Sequence, residues 1–182
     1  TEAPTHLLSK YGGQVGLFYE VKAGEPVPES VESPQGLLPL IGRVEPMHHL
    51  KQALSQGSRC LTLTGPGGMG KTRLAKALMD TEEVVDVFGD AIAFCDLATC
   101  QTGGDFIKTV VTALGLAPPV QRTQTEQAVA LGHALAARSR QLLVLDNAEH
   151  LVEVGRELLS VWIRLAPQTQ FVVTSRRQLG LA

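Results

Sequence analysis

Residues 65 to 72 read Gly65-Pro66-Gly67-Gly68-Met69-Gly70-Lys71-Thr72, directly after the alternating run Leu61-Thr62-Leu63-Thr64. Glycines at this density let the backbone pass through conformations forbidden to other residues, so that successive N–H groups can converge on an anion. Lys71 is a point charge suited to the outer phosphates of a nucleoside triphosphate, and Thr72 offers a hard hydroxyl oxygen to Mg²⁺. Arg73 to Met79 reads as a helix with Leu74, Ala75, Leu78 and Met79 apolar, and its N-terminal dipole adds to the anion site. A strand, a G-x-x-x-x-G-K-T loop and a helix, in that order, predict a nucleotide site lined by Gly65 through Thr72 together with Arg73.

Three further stretches carry groups that could serve that site. Gln141-Leu142-Leu143-Val144-Leu145-Asp146 is an aliphatic strand ending in a carboxylate, and a parallel sheet binds ligands beyond the carboxyl ends of its strands. Asp146 is therefore expected beside the Gly-rich loop, where it would hold the Mg²⁺ shell. Glu149 either polarises an attacking water or settles the first turn of the next helix against its dipole. Gln170-Phe171-Val172-Val173-Thr174-Ser175-Arg176-Arg177 is a strand that ends in hydroxyls and arginines; a guanidinium there can pair with phosphate oxygens and report whether the outermost one is present. Ile41-Gly42-Arg43 precedes a helix, and on spacing alone Arg43 is either a solvated arginine or a group that reaches a ligand.

The elements that position these residues follow from periodicity. Helices are expected at about 44–55 (Val44, Met47, Leu50, Leu54), 106–114 (Phe106, Val110, Val111, Leu114), 123–139 behind the capping-box pair Thr123 and Glu126, and 149–165 (Leu151, Val154, Leu158, Trp162). Trp162 falls on the apolar face and reads as core. Ala91 to Leu97 is an apolar strand of the kind buried on both faces of a parallel sheet. Val15 to Val21 forms a strand that either ends a preceding region or pads this one, and Gly24, Pro26, Pro28, Ser30, Ser33, Pro34 and Gly36 read as a linker. The chain thus divides into 1–36, a preceding region with its linker, and 37–182, the nucleotide-binding domain.

Length and composition bound the rest. At 182 residues, 44% hydrophobic and 19% charged, the chain suits one α/β domain with a real core. The net charge of -2 and the lack of any dense basic run argue against a nucleic-acid-binding face. Cys60, Cys95 and Cys100 have no C-x-x-C pair or histidine cluster, so reduced, packed thiols in a reducing cytoplasm are expected. No run is long enough to cross a bilayer. Thr1 in place of an initiating Met and the stop at Leu181-Ala182 lead us to expect a fragment of a longer protein.

In order and spacing, Leu40-Ile41-Gly42-Arg43, the Gly65–Thr72 loop, Phe94-Cys95-Asp96-Leu97-Ala98, Leu142-Leu143-Val144-Leu145-Asp146-Asn147-Ala148-Glu149-His150-Leu151 and Val172-Val173-Thr174-Ser175-Arg176-Arg177 resemble the ATPase domain of STAND proteins. Within them they are most similar to the NB-ARC-like branch of bacterial LuxR- and SARP-type regulators. The resemblance covers about Leu37 to Ala182. It implies a three-layer α/β P-loop NTPase of the ASCE type, with a mostly parallel central sheet truncated before its last core strand and one sheet edge left open to association. It also implies ATP/ADP as ligand with Mg²⁺, held by Thr72 and Asp146, as cofactor. Gly65 to Thr72 become the Walker A loop, Asp146 the Walker B aspartate, Arg176 the sensor arginine, and Ile41, Gly42 and Arg43 an adenine-side motif. The acid of that motif falls at Glu45 instead of Pro46, and Asn147 stands where many relatives have a second acid.

The function implied is a nucleotide-dependent switch with slow Mg²⁺-dependent ATP hydrolysis, within a cytoplasmic multidomain transcriptional regulator that self-associates on activation and binds neither nucleic acid nor membrane through this part. Lys71, Asp146, Glu149 and Arg176 would carry the hydrolysis. Two other classes fit the loop: a small-molecule phosphotransferase, which calls for an acceptor pocket and a basic lid, and an interaction module in which ADP is structural.

Overall fold

A computed structural model describes residues 8–11, 14–20, 30–31, 40–41, 43–118, 123–177 and 179–180. Its centre is a six-stranded sheet in the order β1-β2-β5-β8-β7-β6, where β1 is Leu8–Tyr11, β2 Gln14–Glu20, β5 Cys60–Thr64, β6 Ile92–Asp96, β7 Gln141–Asp146 and β8 Thr169–Ser175. β3 (Ser30–Val31) and β4 (Leu40–Ile41) form a separate antiparallel pair. The four strands β5, β8, β7 and β6 pair in parallel.

Every residue of β7 and β8 is buried, because helices cover both faces. Side chains alternate across a strand. Leu142 and Val144 of β7 accordingly join a cluster with Met47, Leu50, Leu74 and Leu78, while Leu143 and Leu145 join one with Phe106, Leu135, Leu159 and Trp162. The first layer contains α1 (Val44–Ser55), α2 (Lys71–Met79) and α3 (Glu82–Phe88); the second contains α4 (Gly103–Ala113), α5 (Gln124–Ala136) and α6 (Val152–Leu165). The expected three-layer α/β architecture is thus observed.

Trp162 is core, as its spacing predicts. Its ring meets Phe106 edge-on, with centroids 5.5 Å apart, and stacks on Phe171 at 6.4 Å. Its indole N–H donates to the Ala128 carbonyl at 3.0 Å, which satisfies the one polar atom buried with it. At the sheet edge away from the Gly-rich loop, Arg59 donates to the carbonyls of Ile163, Ala166 and Thr169 at 3.0, 2.6 and 3.2 Å and so closes the exposed end of α6.

Three expectations are corrected. The outer edge of β5 is not open: β2 pairs along it in parallel from Leu17–Leu61 to Glu20–Thr64, supplying partners for backbone groups that would otherwise be unpaired. α4 starts at Gly103 instead of Phe106, because Thr102 and Asp105 form a reciprocal capping box one turn earlier. The helix expected from Glu149 starts at Val152. Asn147 is left-handed (φ 62°, ψ 44°), and Ala148–His150 forms a 3₁₀ turn before α6 can begin.

Candidate functional site

Parallel pairing brings the carboxyl ends of β5, β6, β7 and β8 to one edge, with Thr64 opposite Ser175 and Asp96 opposite Asp146. The Gly-rich loop leaves that edge from β5. Gly68 (φ 77°) and Gly70 (φ 80°) are left-handed, a conformation that strains any residue with a Cβ, and Gly70 delivers the chain directly into α2. Lys71 folds back over the loop, its Nζ donating to the carbonyls of Gly65 and Pro66 at 2.8 and 3.0 Å.

Asp146 is the buried hinge of the site, 1% exposed at the end of β7. The Thr72 hydroxyl stands 2.9 Å from both of its carboxylate oxygens, and the Thr174 hydroxyl donates to Oδ1. With its proton turned toward Asp146, Thr72 keeps its oxygen lone pairs for a cation. A hydroxyl and a carboxylate held side by side are hard oxygen donors, and this donor set fits Mg²⁺ with its water shell.

The sheet edge also gathers the other candidates. Arg176, at the exit of β8, pairs with Glu149 of the 3₁₀ turn at 2.9 Å. Its guanidinium also closes over the loop: a Cβ on Gly67 would stand 3.4 Å from its Cζ. Arg43, expected to be either solvated or ligand-facing, instead donates from Nη2 to the Met69 carbonyl at 2.6 Å and braces the loop from the side of α1. The backbone of Ile41 lies in β4; Gly42 lies outside the described residues. Arg73 carries a buried Nη2 with no hydrogen-bond partner among the described residues. Pro66 is exposed in the loop and lends only its carbonyl, to Lys71.

Sequence reasoning did not assign Asp96, Asn147 or Thr174 to the site. The Asn147 amide Nδ2 donates to Asp96 Oδ1 at 3.0 Å and to Asp146 Oδ2 at 3.1 Å, and its backbone N–H donates to the Thr174 hydroxyl at 3.0 Å. The Asp96 carboxyl is held below the usual carboxylate range, first by the Ala98 N–H and then by the Asn147 amide. A signal for Asp96 was present, since a carboxylate at the end of a second parallel strand must emerge at the same edge. Among the described residues no group of three or more His, Cys, Asp or Glu side chains could hold a metal ion by itself, so a cation here would take most of its ligands from water and phosphate.

Comparison with known proteins agrees with this geometry. The chain is 32% identical over 131 residues to the Mycobacterium tuberculosis protein named "Putative HTH-type transcriptional regulator Rv0890c", covering 72% of this chain and 14% of that protein. It is 34% identical over 146 residues to the M. tuberculosis protein named "Uncharacterized protein Rv0894", covering 80% of this chain and 35% of that one. The chain therefore spans well under half of these relatives. Among solved structures, Cdc6p from Pyrobaculum aerophilum aligns at a TM-score of 0.58 and 18% identity over 80% of this chain and 41% of its own. The Aeropyrum pernix ORC2 protein in ADPNP-ADP complexes aligns at 0.60 and 18% over 81% and 43%. At that identity the two structures share the fold. The AAA domain family model matches residues 53–177, from α1 through the Gly-rich loop and Asp146 to the exit of β8, and the chain belongs to that family of P-loop ATPase domains.

Proposed function

We propose that this domain is a nucleotide-dependent switch of the STAND, NB-ARC-like kind, binding ADP or ATP with Mg²⁺ and hydrolysing ATP slowly. On this reading the nucleotide-binding core is 37–182, residues 8–20 lend β1 and β2 to the edge of its sheet, and the whole is a cytoplasmic, multidomain transcriptional regulator that self-associates when activated. The likeness to a relative named as an HTH-type regulator supports that setting.

The observation that carries the switch reading is the Arg176–Glu149 pair beside the Gly-rich loop. Arg176 is the cation placed to read the outermost phosphate, and Glu149 is the acid placed to orient a water. Paired with each other, neither is committed to substrate. A phosphate that draws Arg176 toward the loop releases Glu149 at the same moment, so recognition and hydrolysis are coupled through one ion pair. Lys71 holds the phosphates, and Thr72 with Asp146 holds Mg²⁺, which when bound neutralises phosphate charge and polarises the bond to the outermost phosphorus. The backbone N–H groups of Gly65 to Gly70, the α2 N-terminus and the Arg73 guanidinium complete the cradle.

Steady-state ADP production from ATP by the purified chain tests this reading. Turnover below about one per second, lowered by Glu149→Gln and indifferent to added hydroxylated small molecules, is expected. Turnover that rises when such an acceptor is supplied would make the protein a phosphotransferase.

A further inference from the structure

Asn147 ties together the ends of two strands. β6 and β7 run in parallel with Asp96 opposite Asp146, so two acids leave the same edge about one strand spacing, ~4.8 Å, apart. Ionised carboxylates only accept hydrogen bonds, so the amide between them must turn its NH₂ to both, one N–H on Asp96 Oδ1 and one on Asp146 Oδ2. Asp96 is anchored from its own side as well, since Oδ1 also accepts from the Ala98 N–H at 3.0 Å. On the far side of Asp146, Oδ1 takes the Thr174 hydroxyl. The carboxylate is thereby gripped at both oxygens, by Thr174 from β8 and by Asn147 backed by Asp96 from β6.

We propose, resting on the magnesium-nucleotide reading above, that Asp96 is a positioning residue for the metal site: through the Asn147 amide it fixes the plane in which Asp146 and Thr72 face Mg²⁺. Asp96 touches neither cation nor nucleotide in this role. Without it, Asn147 keeps one engaged N–H instead of two and can turn, and Asp146 Oδ2 loses a fixed donor. The carboxylate can then rotate about its last bond away from the orientation that Thr72 shares. Groups that orient a metal's ligands in this way commonly change metal affinity by about ten-fold or more when removed. The same arrangement gives Asn147 a purpose that an acid at that position could not serve, because a third carboxylate would repel both neighbours.

The test is titration of a fluorescent ADP analogue into the full chain, in EDTA and across a Mg²⁺ series, for Asp96→Ala, Asp96→Asn, Asn147→Gly and the Asp96→Ala/Asn147→Gly pair. Glycine at 147 retains the left-handed backbone, so its effect reports the amide alone. The expected result is that Asp96→Ala and Asn147→Gly each raise the Mg²⁺ concentration for half-maximal tightening about ten-fold and leave the affinity in EDTA unchanged. Asp96→Asn, whose amide oxygen still accepts from Asn147, stays near the unmodified protein, and the pair is no worse than Asn147→Gly. An unmodified Mg²⁺ requirement in Asp96→Ala, an equal loss with and without Mg²⁺, or additive losses in the pair would each overturn the inference while leaving nucleotide binding intact. Absence of nucleotide binding by the unmodified chain would overturn the site reading and this inference with it.

Discussion

Arg176 and Glu149 lie 2.9 Å apart at the mouth of the site, and each limits what the other can do. Replacing Arg176 by Ala removes the proposed reader of the outermost phosphate. A charge-assisted hydrogen bond is worth about 1.5–3 kcal/mol, so ATP affinity should fall about ten-fold or more while ADP affinity stays put; competition binding with the two nucleotides measures the ratio. An equal fall for both would mean that Arg176 only shapes the loop. The thiols make a second residue-level prediction. Burial pushes Cys60 and Cys95 up to about 12, so both should alkylate slowly at pH 8, and Cys95, 1% exposed, should react only as fast as the chain opens. The sign of the linkage follows. With folded values above the unfolded thiol value of about 8.5, their contribution to stability is full below that value and is lost as pH rises toward 12. Rapid native-state labelling of Cys95 would contradict its enclosure.

At the scale of elements, α4 and α5 both begin with reciprocal capping boxes, Thr102 with Asp105 and Thr123 with Glu126. Thr123→Ala should cost about 1 kcal/mol, read as a lower midpoint in urea with unchanged slope. Asp105 has its carboxyl held below the usual range, first by the Thr102 hydroxyl and then by the backbone N–H groups of Gln101 and Thr102. Its stabilising effect is therefore present above the unfolded value and fades as pH falls through the folded one. Asp105→Asn should flatten that acid limb, and an unchanged limb would show that the cap is not formed in solution.

Legibility in the sequence varied element by element for identifiable reasons. β7 and β8 were plain, because strands buried on both faces carry continuous apolar stretches, Leu142 to Leu145 and Phe171 to Val173, and β5 was plain because its alternating Leu and Thr lead straight into the Gly-rich loop. α5 was plain because Thr123-x-x-Glu126 matches the capping box, whereas the start of α4 was missed because an aspartate fills the same role at Asp105. α3 was not foreseen, since seven residues are too few for the apolar spacing of Val84 and Phe88 to stand out. The bend at Asn147 was hidden as well, because nothing local says that a residue other than glycine will adopt a positive φ.

For the whole molecule, what the sequence carried best was the convergence of strand ends, because parallel topology places every carboxyl end at one edge. Lys71, Thr72, Asp146, Glu149 and Arg176 do gather there. What it could not carry was pairing between distant side chains. The bridge from Asp96 through Asn147 to Asp146 spans 51 residues in sequence between its first two members, and the Arg43 bond to Met69 spans 26. Nor did it show that β2 would cover the edge of β5. Among the described residues no helix is long and apolar enough to cross a membrane.

The measurement that bears most directly on the account is calorimetric titration of the chain with ADP and ATP, with and without Mg²⁺, beside the Lys71→Ala variant. Saturable binding at one site, tightened by Mg²⁺ and lost in Lys71→Ala while the variant's thermal unfolding is unchanged, is the predicted result. Binding that Lys71→Ala retains in full would contradict the assignment of Gly65 to Thr72 as the phosphate cradle.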